Sequence, residues 1–209
     1  MPDRTNAPPR AWQRMLSGRR LDLLDPSPLD VEIEDVAHGL ARVARWNGQT
    51  TGDHAFSVAQ HSLLVEALAA LAEPGLDDRD RLTALLHDTP EYVIGDMISP
   101  FKAVMGGTYK AVEARLQDAI RVRFRLRATD GTALGRLVKT ADLAAAYLES
   151  TRLAGFAEAE AVRFFGRPDR RIGRALIARI EDTFLVPWET REAQARFLER
   201  FQALDATSA

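Results

Sequence analysis

His61, the adjacent pair His87-Asp88, and Asp142 offer two imidazoles and two carboxylates to one site, with Glu91 three residues beyond the pair. A mixed nitrogen and oxygen set of this kind suits a divalent transition metal such as Co, Mn, Fe, Ni or Zn, without choosing among them. Four protein ligands in a six-coordinate site leave room for water and for one oxygen of a phosphate. An ion held there lowers the pKa of the water and polarises the phosphorus, so the chemistry is metal-assisted hydrolysis of a phosphate ester. The 209 residues contain no cysteine, which excludes thiolate sites, disulfides and cysteine nucleophiles and leaves any metal to His and carboxylates.

The elements that position these residues follow from hydrophobic spacing. Leu82, Leu85 and Leu86 fall on one helical face of a segment from Asp77 to His87, capped by Asp77 or Asp78, and carry His87 and Asp88 to its C-terminal end. Pro90 cannot continue that helix but suits the first turn of another, with Asp88 or Thr89 as cap and Glu91 just inside. His61 lies three residues after Val58 and four before Val65, on the apolar stripe of a helix predicted over 55–72. Asp142 follows Ala141 and lies four residues after Val138, beside the stripe of a helix over 133–153. Each residue taken singly has a structural reading: a hydrogen-bonded core His61, a helix-end His87, a capping Asp88, and an Asp142 paired with Lys139. A buried carboxylate needs a cation, and Lys139 and a shared metal are the two candidates.

Elsewhere the pattern predicts helices over 33–44, with His38 off the stripe, over 108–126, and over 172–186 and 188–204 as packing or association surfaces. His54 reads as exposed. The loop from Arg45 to Gly52 presents a planar cation and the flat face of Trp46, suited to an anion and to a ring or sugar; a surface Arg45 and a core Trp46 is the plainer reading. Asp96 either turns the chain or offers a carboxylate to a ligand. Gly18 to Pro28 reads as an extended arm ending in a turn, and Arg167 to Arg171 as a basic loop. Residues 1–17 are expected to be flexible, and 18–205 to form one domain. With no convincing run of strands the expected fold class is all-α.

A net charge of -2 argues against binding nucleic-acid polymers by bulk electrostatics. No run approaches the ~18 apolar residues of a membrane span, and the N-terminus has no signal-peptide core, so a cytoplasmic protein is expected.

The arrangement His61, His87-Asp88 and Asp142 resembles the H…HD…D signature of the HD-domain metal-dependent phosphohydrolases. The surrounding words are more specific: His87-Asp88-Thr89-Pro90-Glu91, Gly95-Asp96, Pro100, Tyr109-Lys110 with Glu113, Leu137-Val138-Lys139 with Ala141-Asp142, and Ala146-Tyr147-Leu148 resemble the bacterial 5'-deoxynucleotidase branch, as does Arg45-Trp46 ahead of the first His. The stretch from Gly18 to Thr50 is similar to a related group of proteobacterial phosphohydrolases.

The resemblance implies a single-domain helical bundle and a homodimer. It also implies one divalent metal on His61, His87, Asp88 and Asp142. Glu91 would be the catalytic acid/base, Arg45 would orient the phosphate, Trp46 would flank the substrate and Asp96 would contact the sugar. The implied reaction is in-line attack of water on a nucleoside 5'-monophosphate, with a deoxyribonucleotide as the expected substrate. Alternatives are another phosphate ester on the same site, such as a triphosphate or cyclic nucleotide, and a non-catalytic nucleotide-binding protein. Three departures bear on selectivity: Ala59-Gln60 stands where the branch tends to have Ser-Glu, the loop between Arg45 and His61 is longer, and Arg127 to Thr132 does not match.

Overall fold

Three of the helices open on a side-chain cap that the sequence supplies. The computed structural model describes residues 10–98, 101, 104, 107–168 and 180–206. In chain order it contains strands β1 (Trp12–Arg14) and β2 (Arg20–Asp22), then helices α1 (Ile33–Leu40), α2 (Val58–Ala72), α3 (Asp78–Leu85), α4 (Glu91–Ile94), α5 (Gly107–Arg123), α6 (Ala133–Arg152), α7 (Glu158–Phe165) and α8 (Thr190–Ala206). Ser57, Asp77 and Thr132 accept hydrogen bonds from the backbone N–H groups of Gln60, Asp80 and Gly135 and so start α2, α3 and α6. The all-α expectation holds. No helix among the described residues is long and apolar enough to cross a membrane.

Helix α2 is apolar nearly all round because it has core on two sides. Val58, Ala59 and Leu63 face a cluster built with Leu40, Leu82, Leu86, Leu116, Ile120 and Phe197. Leu64, Val65, Leu68 and Ala69 face a second cluster with Val138, Ala141, Ala145 and Leu148 of α6. The polar residues of this helix must therefore find partners inside. Glu66 accepts from Arg81 Nε at 2.6 Å and Arg200 Nη2 at 2.8 Å, and Gln60 meets the backbone of residues 184–188.

Three expectations are corrected. The arm near the N-terminus is an antiparallel hairpin, with Gln13 opposite Leu21, fastened by Ser17, whose N–H and hydroxyl donate to the buried Asp35; strands of three residues are too short to show a period. The helix expected over 33–44 ends at Leu40. Beyond it the backbone is drawn into pairing, with Arg45 N–H donating to Phe56 O at 2.8 Å and Val58 N–H to Val43 O at 3.0 Å. Neither Asp88 nor Thr89 caps α4, whose N-cap is Pro90; the Thr89 hydroxyl donates back to Leu86 O. Residues 1–9, Ser99-Pro100, Asp169 to Arg171 and the start of the helix expected from Ile172 lie outside the described residues.

The turn before α6 is held by close approach. A Cβ on Gly135 would lie 1.8 Å from the Thr129 carbonyl oxygen, which also accepts from the Thr132 N–H and hydroxyl. A helix-interior Gly→Ala change ordinarily stabilises by about 0.5–1 kcal/mol. Here the clash with pinned backbone outweighs that gain. Gly135→Ala is expected to lower stability by about 1–3 kcal/mol, read as a lower urea midpoint with an unchanged slope.

Candidate metal centre

Two helices and the turns between α3 and α4 bring the expected ligands to one point. His61 comes from the first turns of α2, His87 and Asp88 from the tight turns between α3 and α4, and Asp142 from the middle of α6. One ligand atom from each lies within 4.8 Å of the others. His61 Nε2 stands 3.4 Å from Asp88 Oδ2 and 3.5 Å from Asp142 Oδ1, and His87 Nε2 stands 3.1 Å from Asp88 Oδ2.

The tautomers are set from behind. His61 Nδ1 donates to Glu149 Oε1 at 2.5 Å and His87 Nδ1 to the Ala84 carbonyl at 3.0 Å, which turns both Nε2 atoms toward the centre. Both are buried and have no hydrogen-bond partner. Two orphaned imidazole nitrogens facing two carboxylates fit a divalent cation, and a second group that fixes each imidazole is a common feature of metal sites.

The electrostatics agree. Burial and Arg45 press His61 down, but Glu149, Asp142 and Asp88 more than offset them and hold its imidazole well above its ordinary value. Burial presses Asp88 and Asp142 up, and the two imidazoles outweigh it and keep both carboxyls well below the usual range. The surrounding carboxylates thus stabilise a positive charge beside His61 Nε2, a place that a proton or a metal ion can fill but not both. Lys139 also reaches Asp142, with Nζ at 2.8 Å from Oδ2, and is 67% exposed. The two candidate partners of Asp142 are therefore compatible, one for each oxygen.

Arg45 corrects the plainer reading. Its side chain is only 12% exposed and donates from Nε to Glu149 Oε2 at 3.3 Å and from Nη1 to Asp96 Oδ2 at 3.2 Å. Trp46 is half-buried and donates from Nε1 to the same Glu149 oxygen at 2.9 Å. It sits in the left-handed region at φ 56°, ψ 27°, followed by Asn47 at φ 50°, a backbone that a bulky residue adopts only when its surroundings hold it. Asp96 lies beside Arg45, and Glu91, 3% exposed, lines the centre. His38 and His54 stay outside it.

Sequence reasoning missed Glu149. It is fully buried and lies seven residues after Asp142, two turns along the same face of α6. That spacing was the available signal. It also missed an aromatic wall: Trp46 lies 5.6 Å from Phe156 and 5.8 Å from Phe165, ring centre to ring centre, with Phe164 packed against both phenylalanines.

Two cavities meet at the centre and share Asp88, Glu91, Lys139 and Asp142. One, of about 610 Å³, runs past Arg45 and Asp96 to the aromatic wall. The other, of about 630 Å³, is lined by charged residues of α5 and by residues 126–130.

Comparison with known proteins places these features in a family. A sequence model described as 5'-deoxynucleotidase YfbR-like matches residues 36–161, a span that holds all four ligand candidates, Arg45, Trp46, Glu91, Asp96 and Glu149. The chain is also 61% identical, over 171 residues, to an uncharacterized protein of Rhodobacter capsulatus, covering 82% of this chain and 87% of that protein.

Proposed function

We propose that the chain, which belongs to the YfbR-like 5'-deoxynucleotidase family, is a metal-dependent phosphomonoesterase that releases phosphate from nucleoside 5'-monophosphates, with deoxyribonucleotides preferred. The observation that carries this reading is the cavity of about 610 Å³ that begins at Asp88, Glu91 and Asp142, passes Arg45, and ends on Trp46, Phe156, Phe164 and Phe165. Its sequence of surfaces is that of the proposed substrate: an anion at one end, a sugar between, a planar base at the other.

His61, His87, Asp88 and Asp142 would hold one divalent cation, which when bound supplies Lewis-acid polarisation of the phosphate and a more acidic water. Arg45 enters the cavity with Nε and Nη1 already held by Glu149 and Asp96, which leaves Nη2 to meet a phosphate oxygen and fixes the direction from which it does so. Glu91 lines the cavity beside Asp88 and Asp142, and would take a proton from the attacking water or give one to the leaving 5' oxygen. The rings at the far end offer π-faces to a base. Asp96 adjoins the path of the sugar, although its present partner is Arg45. The resemblance to the family supports a homodimer, to be read by light scattering.

The test is phosphate release from ribo- and deoxyribonucleoside 5'-monophosphates by chelator-stripped protein reloaded separately with Co, Mn, Mg, Ni and Zn. Metal-dependent release favouring deoxy substrates is the expected result. No release by folded, metal-loaded protein would overturn the reading.

A further inference from the structure

Three donors from two separate elements end on one carboxylate. Glu149 Oε1 accepts from His61 Nδ1, on α2, while Oε2 accepts from Arg45 Nε and Trp46 Nε1, on the turn that precedes α2. The carboxylate has no exposure to water, so its partners are fixed by geometry and not exchanged with solvent. It shares a helix face with Asp142, which approaches the same imidazole from the opposite side, at Nε2. Helix α6 thus faces His61 from both sides, hydrogen-bonded at Nδ1 behind the centre and with Asp142 3.5 Å from Nε2 beside it.

We propose that Glu149 is a positioning residue that sets the phosphate-orienting Arg45 and the adjacent Trp46 in register with the metal centre. A carboxylate that served only to neutralise Arg45 would need one oxygen. Here the oxygens are divided, one to the metal side and one to the substrate side, so a displacement of either side is transmitted to the other through a single rigid group. The division also accounts for the left-handed backbone at Trp46: its indole N–H is drawn to Glu149 while the Arg45 N–H is held by Phe56 O. An amide cannot do the same. Gln in place of Glu149 has one acceptor oxygen: with the oxygen on His61, its NH₂ would face the two N–H donors of Arg45 and Trp46, and with the oxygen on those donors, its NH₂ would face His61 Nδ1 and favour the tautomer that carries the proton on Nε2, where a metal would bind.

The substrate arm of this proposal rests on the nucleotidase reading; the metal arm does not. The experiment compares parent, Glu149→Gln and Glu149→Ala by calorimetric titration with Mn or Co alone, and then by kcat and KM for a deoxyribonucleoside 5'-monophosphate under saturating metal. Glu149→Gln is expected to bind metal about 10- to 100-fold more weakly and, once saturated, to show KM raised about tenfold or more. The nearly isosteric variant keeps the side-chain volume, so its fold is preserved where Glu149→Ala destabilises. Parental metal affinity and parental KM in Glu149→Gln would overturn the proposal, even if that variant melted earlier. Should no nucleotide be turned over by the parent, the metal titration alone decides: weakened binding upholds the link to His61, and unchanged binding overturns it.

Discussion

Asp142→Ala is expected to lose both metal and activity while keeping its fold. The substitution removes one of the two carboxylates that face His61 Nε2, so bound Mn or Co should fall well below one per chain after gel filtration, and phosphate release should drop by about 10³-fold or more. The pair with Lys139 carries little of the stability. Asp142 lies at the edge of the cavities, and its other partner, Lys139, is mostly in solvent and needs no replacement charge; exposed pairs of this kind contribute ~0–1 kcal/mol. A variant with parental thermal unfolding in chelator and no metal-dependent activity would locate the defect in the centre. Normal metal content would sink the four-ligand assignment.

Arg45 is expected to give the largest loss of stability. Its guanidinium spans Glu149, which is fully buried, and Asp96, which is nearly so. Removing one partner of a buried ion pair leaves an uncompensated charge and costs about 3–5 kcal/mol, so Arg45→Ala should show a much lower urea midpoint.

The pH dependence identifies the cause. Burial raises the Glu149 carboxyl, but Arg45 and His61 more than offset it and bring it down to about 2. A carboxyl depressed by folding stabilises the native state fully above its unfolded value, ~4.3, and loses that contribution as pH falls toward the folded one. The stability gap between parent and Arg45→Ala should therefore be widest above about pH 4.5 and narrow as pH falls toward 2. A gap independent of pH would mean that lost packing, and not lost charge, is the cause. Arg45→Lys separates stability from substrate handling. It retains the cation without the fork that joins two carboxylates, so KM should rise while most of the stability returns.

What could be read from the chain alone follows a physical rule. His61 and Asp142 were legible because each interrupts an apolar stripe at a helical spacing, and His87-Asp88 because Pro90 forces a break just beyond them. The burial of Arg45, named as a candidate for an anion, was not, since it depends on Glu149, 104 residues away, and a short loop has no period to place it inside. Glu149 itself was hidden by ordinary appearance: a Glu near the end of a long helix reads as solvated surface, and only its two-turn distance from Asp142 distinguishes it. The aromatic wall was missed for a related reason. Its rings come from the loop before α7 and the end of that helix, and become one surface only when the chain doubles back over Trp46.

Gln60 ties the C-terminal part of the chain to the helix that carries His61. Its amide donates to the Phe184 and Val186 carbonyls at 2.7 and 2.8 Å, and its oxygen accepts the Trp188 N–H at 3.0 Å. A glutamate there would set a carboxylate against two carbonyl oxygens and could not make those bonds. Residue 60 and the segment that crosses it are consequently coupled: the amide holds the crossing in place, and an acid at that position would require the chain to be routed elsewhere.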